Sequence, residues 1–247
     1  MHLEGKQSVL AALKARKRKI DLVLLKAGSQ QERIQEILEE CERQAISVKY
    51  VSASELDQLA FGKTHGGVIA LCSRRHPDKF EDLPSILHVS SALPLLLVLE
   101  GIEDANHLGY LLRSAEALGA QAVLLKKHVW DFDEIRVSRA SSGAFERLPL
   151  IKLSDASQVR KFHKFDIRLW GCIANSKRTV YDVDLTVPVA LAVGGEKRGL
   201  SGKLRDECDG FLRIPMLQGS ASSLSLTHAA CLLLGEAFRQ RQIPSPL

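Results

Sequence analysis

Three uninterrupted apolar runs constrain what this chain can fold into. Leu95–Leu99, Ala122–Leu125 and Val189–Val193 are short, aliphatic and free of internal charges. Such runs are typical of strands that are buried on both faces of a parallel sheet. Other predicted elements alternate with them: strands near 149–153 and 167–173, and helices near 107–118, 155–164, 200–206 and 223–241. The alternation predicts an α/β domain with helices on both sides of a parallel sheet.

The first 76 residues carry their own alternating pattern. Helices are predicted at 5–15, 31–44 and 54–59, and strands at 21–25, 47–51 and 66–72. We therefore expect a small α/β domain at 1–76. Residues 77–93 contain two prolines and a serine pair, which indicates a linker with a short helix. Residues 94–247 then form the second domain.

Composition excludes several classes of protein. The 247 residues are 45% hydrophobic, which is enough to bury a core. No stretch approaches eighteen apolar residues, and the first residues lack the apolar core of a signal peptide, so we expect a cytoplasmic protein without a membrane segment. The five cysteines are scattered and form no CxxC pair, which argues against a disulfide framework and a zinc site.

The charge distribution indicates a polyanionic partner. The net charge is +5, and residues 1–77 hold 13 Lys and Arg against 9 Asp and Glu. A dense basic cluster ends the first predicted helix, where cations would either complement the helix dipole or contact phosphates. We favour the phosphate contact for the members of this cluster: Lys14, Arg16, Lys17, Arg18 and Lys19.

Two segments of the second domain carry candidate functional residues. In 103–115, the leucines and Ala115 form a helical stripe, and Arg113 lies off that stripe, where an arginine is ordinarily solvated. After the strand 189–193, Gly194 and Gly195 allow the main chain to approach a ligand closely. Apolar residues that could wall a pocket follow in the next loops: Ile214, Met216 and Leu224.

Four segments in order resemble the SpoU/TrmH branch of the SPOUT superfamily. They are residues 103–115, Ser141–Ala144 with Leu148–Pro149, Gly194–Glu196 with Gly199–Leu200, and Ile214–Met216 with Ser222–Leu224. Residues 2–70 are similar to the small ribosomal-protein-like RNA-binding domain that many members carry. The resemblance covers nearly the whole chain.

The resemblance implies an S-adenosylmethionine-dependent RNA ribose 2'-O-methyltransferase that acts on ribosomal or transfer RNA without a metal. It implies a trefoil-knotted catalytic domain and a homodimer whose active site uses both subunits. The cofactor would contact Gly194, Gly195, Ile214, Met216 and Leu224. The implied catalytic set is Arg113, which would engage the ribose hydroxyl or its phosphate, Glu196, which would order the site, and His107, Ser223 and Ser225.

The chain departs from the family pattern at two positions. His107 and Ser225 stand where asparagines are usual. In one hypothesis the enzyme is active and His107 handles the proton, because imidazole titrates near neutral pH. In the other, the chain is a degenerate SPOUT homologue that binds RNA without methyl transfer. A dinucleotide-binding enzyme and a serine hydrolase are disfavoured, because neither GxGxxG nor GxSxG is present.

Overall fold

The computed structural model describes residues 1–61, 65–89, 91–126, 131–195, 197–217 and 223–242. The chain forms two compact units. The first contains Met1–His76, Leu108–Arg113 and Asp133–Arg147, and the second contains Pro77–His107, Ser114–Phe132 and Leu148–Leu247. The first unit therefore includes two segments from beyond the first 76 residues.

Strands and helices alternate along the described residues. The strands are β1 (His2–Glu4), β2 (Ile20–Lys26), β3 (Ser47–Val51), β4 (Val68–Cys72), β5 (Leu95–Glu100), β6 (Ala122–Lys126), β7 (Leu150–Leu153), β8 (Arg168–Cys172), β9 (Val189–Gly194) and β10 (Gly210–Leu212). The α-helices are α1 (Lys6–Ala15), α2 (Gln31–Arg43), α3 (Ala53–Leu59), α4 (Leu83–His88), α5 (Ala105–Ala117), α6 (Glu134–Ser141), α7 (Ala144–Arg147), α8 (Gly202–Arg205) and α9 (Leu226–Gln242).

The first unit is built on a four-stranded sheet in the order β1-β4-β2-β3. Strands β2 and β3 are parallel, and the other pairs are antiparallel. Helix α2 buries Ile34, Ile37 and Cys41 in a core shared with α1 and the sheet. Helix α3 is capped by Ser52, whose side chain accepts the backbone N–H of Glu55.

The second unit contains a sheet in the order β10-β8-β9-β5-β6-β7, and all its described pairs are parallel. The three apolar runs form β5, β6 and β9, of which β5 is buried throughout. This sheet confirms the predicted α/β class. The helix predicted near 155–164 is a 3₁₀ helix over Ala156–Phe165.

Helices α6 and α7 form part of the first unit, where sequence reasoning predicted only a loop before Ser141. Asp133 caps α6 by accepting the backbone N–H groups of Ile135 and Arg136. Gly143 follows α6 with φ +90°, and a Cβ there would lie 2.8 Å from Ala11 Cβ on α1. Only glycine fits this approach without displacement of a neighbour.

Candidate active site

A cavity of about 740 Å³ opens at the carboxyl ends of β5, β6 and β9. In open parallel sheets, ligands bind at this edge, and a volume of this size fits a small molecule. Its walls come from the loops that follow β5 and β9, from Lys126 at the end of β6 and from the start of α9. The lining residues include Glu100, Gly101, His107, Lys126, Gly195 and Ser201.

A buried carboxylate ties the floor of the cavity together. Glu100 ends β5, and its carboxylate accepts the backbone N–H of Ser201 at 2.7 Å. Lys126, at the end of β6, donates its Nζ to Glu100 and also lies 3.3 Å from Ser201 Oγ. The side chain of Glu100 is only 7% exposed. Glu100 therefore joins β5 and β6 to the loop after β9.

The glycines of that loop allow backbone segments to approach closely. The backbone N–H of Gly199 donates to Gly195 O at 2.8 Å, which folds the loop back on itself. A Cβ on Gly194 would collide with the backbone of Gly199 and Leu200. A Cβ on Gly101 would lie 3.0 Å from Gly195 Cα. These positions exclude larger side chains, and so the main chain itself forms this wall.

The pKa of Glu100 reflects two opposing effects. Burial would raise the pKa of this carboxyl, but hydrogen bonds from Lys126 and Ser201 outweigh burial and hold it below its usual value. The ionised carboxylate of Glu100 is therefore stabilised in the folded protein relative to the unfolded chain. Its contribution to stability is present above the unfolded pKa of about 4.3 and is lost as the pH falls through the folded pKa.

We expect Glu100→Gln to remove this acid-dependent stability. As the pH is lowered from about 5 to about 3, the free energy of unfolding, measured with urea, should decrease less for the variant than for the wild type. Glu103→Gln is the control, because Glu103 is 75% exposed and its ion pair with Lys197 is at the surface. Identical pH slopes for the wild type and Glu100→Gln would contradict the assignment.

His107 and Arg113 both lie on α5, as the sequence predicted. Asp104 caps this helix by accepting the backbone N–H of His107 at 2.8 Å. The side chain of His107 is exposed and lines the cavity. Leu108 is buried, whereas Arg113 is exposed and lies in the segment assigned to the first unit.

The predicted apolar wall is partly accessible, but none of its three residues is among the described residues that line the cavity. Ile214 follows β10 and is half-buried, whereas Met216 is 43% exposed and Leu224 is 37% exposed. Exposed apolar side chains of this size are available to pack against a ligand. Ser223 is exposed. Ser225 directly precedes α9, and its Oγ lies 2.7 Å from His228 Nδ1 and accepts the His228 backbone N–H.

Glu196 and Ser222 lie outside the described residues. Within the described ranges, no three His, Cys, Asp or Glu side chains converge to hold a metal ion. Burial raises the pKa of Cys41 and Cys172 to about 11, so neither thiol ionises near neutral pH. None of the described helices has the length and apolarity needed to cross a membrane.

The structure corrects the predicted basic cluster at Arg18. Its guanidinium is fully buried, donates to both carboxylate oxygens of Glu146 at 2.8 and 3.0 Å, and lies 3.2 Å from Glu134. Arg18 is therefore not available to a phosphate. Lys14 pairs with Glu36 and Lys19 with Asp21 at the surface. The phosphate contacts of Lys14, Arg16, Lys17 and Lys19 stay predictions.

Comparison with known families decides the assignment of the chain. Residues 94–235 match the model of the SpoU rRNA Methylase family, and residues 2–77 match the model described as RNA 2'-O ribose methyltransferase substrate binding. The chain belongs to the SpoU rRNA methylase family. The resemblance identified in the sequence is confirmed.

Relatives of this SpoU family protein cover nearly all of it. A Xylella fastidiosa protein named 23S rRNA (guanosine-2'-O-)-methyltransferase RlmB is 37% identical over 222 residues, which is 90% of this chain and 89% of that protein. A Haemophilus influenzae protein of the same name is 35% identical over 226 residues, or 91% of each chain.

Solved structures show the same architecture. The SpoU methyltransferase AviRb from Streptomyces viridochromogenes has a TM-score of 0.77 and 26% identity, with coverage of 98% of this chain and 89% of that chain. AviRb in complex with the cofactor AdoMet also has a TM-score of 0.77, at 25% identity, with coverage of 98% and 90%.

Sequence reasoning missed the Glu100, Lys126 and Ser201 cluster of this SpoU protein. A signal was present, because Glu100 and Lys126 are the charged residues that directly end two apolar runs. The carboxyl ends of parallel strands meet at one edge of the sheet, where charged side chains can converge. The position of Ser201 gave no such signal.

Proposed function

We propose that this chain methylates the ribose 2'-hydroxyl of structured RNA with S-adenosylmethionine as methyl donor. The observation that carries the proposal is the glycine-walled cavity at the carboxyl ends of β5, β6 and β9, in a chain of the SpoU family. The RNA is a ribosomal or transfer RNA, and the names of the curated relatives favour ribosomal RNA.

The glycine loop at the cavity and the exposed apolar residues of the later loops are suited to the cofactor. Backbone at Gly194 and Gly195 approaches its neighbours too closely for larger side chains, and Met216 and Leu224 leave apolar surface exposed. We assign these four residues and Ile214 to cofactor binding. The bound cofactor supplies an electrophilic methyl group. The protein holds the ribose oxygen in line with that methyl, and such positioning accounts for a large part of the acceleration.

His107 is proposed as the group that accepts the proton of the 2'-hydroxyl. Its imidazole is exposed at the cavity, where a substrate can reach it. An arginine side chain donates hydrogen bonds and accepts none, so Arg113 is proposed as a clamp on the ribose hydroxyl or a phosphate. Glu196 is proposed to order the site, and Ser223 and Ser225 are proposed as the other members of the catalytic set.

The role of His107 has a specific kinetic signature. Both His107→Ala and His107→Asn should lower kcat by about 100-fold or more and abolish the acidic limb of the pH–rate profile. The KM for S-adenosylmethionine should change little, because the proposed role of His107 is to accept a proton from the ribose oxygen and not to bind the cofactor. If both variants retain the wild-type rate and pH profile, His107 is not the base.

A second candidate function is RNA binding without methyl transfer. His107 and Ser225 favour it, because both stand where the family usually has asparagine. Calorimetry with S-adenosylmethionine provides a first test of the cofactor site. We expect saturable binding to the wild-type protein, and we expect the demethylated product to compete for it. If neither binding heat nor competition is seen, the methyltransferase proposal is overturned.

The homodimer implied by the family is proposed to use the outer face of α9. Leu232 and Phe238 on this helix are 48% and 39% exposed, although its opposite face is buried. Exposed apolar surface of this kind commonly marks a protein interface. Light scattering at micromolar concentration should give a molar mass twice that of the chain. The Leu232→Glu variant should give the mass of the monomer. A monomeric wild type would contradict the proposal.

Several further predictions belong to this proposal. The first 76 residues would be the RNA-binding domain, residues 77–93 the linker and residues 94–247 the methyltransferase domain. The matched family ranges support this division. The trefoil knot, the cytoplasmic location and a reaction without metal are proposed with it.

A further inference from the structure

The first unit contains a second cleft, of about 820 Å³, between the loop after β2 and the turn before β4. Its walls include Gly28, Ser29 and Gln30 from the first loop and Gly66 and Gly67 from the second. The two loops are joined, because the Lys26 backbone N–H donates to Gly67 O at 2.9 Å. The cleft is therefore a built feature of this sheet edge.

Three cations converge on this cleft. Lys6, Lys26 and Arg33 line it, and within the described part of the chain none of the three forms an ion pair. Among the described lining residues, Asp57 is the one carboxylate, and it lies 3.1 Å from His65 Nε2. The cleft thus has an excess of positive charge, whereas Lys14 and Lys19 of the predicted basic cluster are each paired with a carboxylate.

Backbone groups in the cleft are also suited to an anion. Gly28 and Gly66 have φ of +76° and +59°, and a Cβ on either would meet nothing within 4 Å. The space that a Cβ would occupy at either glycine is therefore open. Gln30 precedes α2 without capping it through its side chain, so the first backbone N–H groups of a 13-residue helix lack a side-chain cap. Helix N-termini bind phosphate through such groups.

His65 holds the second loop in place. Its side chain is 8% exposed, and its Nδ1 accepts the Gly67 backbone N–H at 3.1 Å while Nε2 contacts Asp57. Both ring nitrogens are therefore engaged within the protein. The imidazole fixes the Gly66–Gly67 turn beside Lys26, which prepares the cleft before any ligand arrives.

We propose that this cleft binds the phosphodiester backbone of the substrate RNA, with Lys26 and Arg33 each contacting a phosphate and Lys6 flanking them. The inference rests on the proposed RNA methyltransferase function and deepens it, because it locates a substrate contact outside the methyl-transfer cavity. Phosphate contacts of this kind position an RNA without reading its sequence. The basic cluster predicted at the end of α1 would then contribute less to RNA affinity than this cleft.

The test compares full-length Lys26→Gln/Arg33→Gln with the wild type in titrations of a ribosomal RNA fragment at several salt concentrations. Loss of two phosphate contacts should flatten the slope of log affinity against log salt by about 1.4 to 1.8, and affinity should fall about 10-fold or more at low salt. The KM for RNA should rise, while kcat at saturating RNA and the affinity for S-adenosylmethionine stay unchanged.

The matched control is Lys49→Gln/Lys164→Gln, which removes the same charge from exposed positions outside the cleft. Its affinity should change less than twofold. An unchanged salt slope in the cleft variant, or an equal loss in the control, would overturn the proposal. Free mononucleotide and inorganic phosphate should not compete at equal phosphate concentration, and full competition by either would assign the cleft to a small phosphate ligand.

These outcomes separate this proposal from the proposed function. If the wild type binds RNA but transfers no methyl, the enzymatic function fails and the binding series still tests the cleft. If the wild type methylates RNA and the cleft variant keeps its RNA KM and salt slope, only the cleft proposal fails.

Discussion

Replacing Arg18 with alanine is expected to lower the free energy of unfolding by about 3 to 5 kcal/mol, the cost of breaking a buried ion pair. The guanidinium is fully buried and bonds Glu146 through two nitrogens, with Glu134 beside it. Its removal would leave the buried carboxylate of Glu146 without the guanidinium that bonds it, whereas Glu134 would keep its ion pair with Arg74. Urea unfolding at pH 7 measures the effect through the shift in midpoint.

The control and the rescue make this prediction specific. Lys14→Ala breaks an exposed pair with Glu36 and should cost less than about 1 kcal/mol. Arg18→Met/Glu146→Leu removes both members of the closest pair, and it should recover a large part of the lost stability, because apolar replacement of a buried pair is often neutral. A midpoint for Arg18→Ala equal to that of Lys14→Ala would contradict the buried network.

Gly194→Ala is expected to abolish methyl transfer and to weaken S-adenosylmethionine binding at least tenfold, or by about 1.4 kcal/mol. A Cβ at this position would overlap the backbone of Gly199 and Leu200. The loop must shift to admit it, and the backbone wall of the cavity shifts with the loop. Calorimetry measures the affinity, and transfer of labelled methyl to RNA measures the activity.

Gly202→Ala is the matched control in the same stretch of chain. A Cβ on Gly202 would meet nothing within 4 Å, and its φ is not positive. Since Gly202 begins α8, alanine there should leave stability equal or slightly higher. Both variants should fold, as judged by circular dichroism. Wild-type cofactor affinity in Gly194→Ala would show that the loop does not form the cofactor wall.

Strands β5, β6 and β9 could be predicted because burial on both faces leaves an uninterrupted apolar run. Helix α6 could not, because its buried residues include Glu134, Ser138 and Ser141 next to Val137. Polar residues on the buried face remove the apolar periodicity from the sequence. Strand β1 has three residues and pairs with β4, far along the chain, so no local pattern indicates it.

The candidate site was predictable where its chemistry lies in one local pattern. Gly194 and Gly195 follow a strand directly, and their need for close backbone approach can be read from the sequence. The roles of Glu100 and Arg18 depend on partners far away in the chain: Lys126 and Ser201 for Glu100, and Glu134 and Glu146 for Arg18. Local charge density placed Arg18 at the surface, whereas tertiary pairing buries it.

The most direct test of the account is the chemical identity of the methylated product. The wild-type protein would be incubated with ribosomal RNA lacking the modification and with methyl-labelled S-adenosylmethionine, and the RNA digested to nucleosides. We predict that the label is recovered in a 2'-O-methylnucleoside and that Gly194→Ala yields none. Label in a methylated base, or no label from a protein that binds both the cofactor and the RNA, would contradict ribose methylation by this chain.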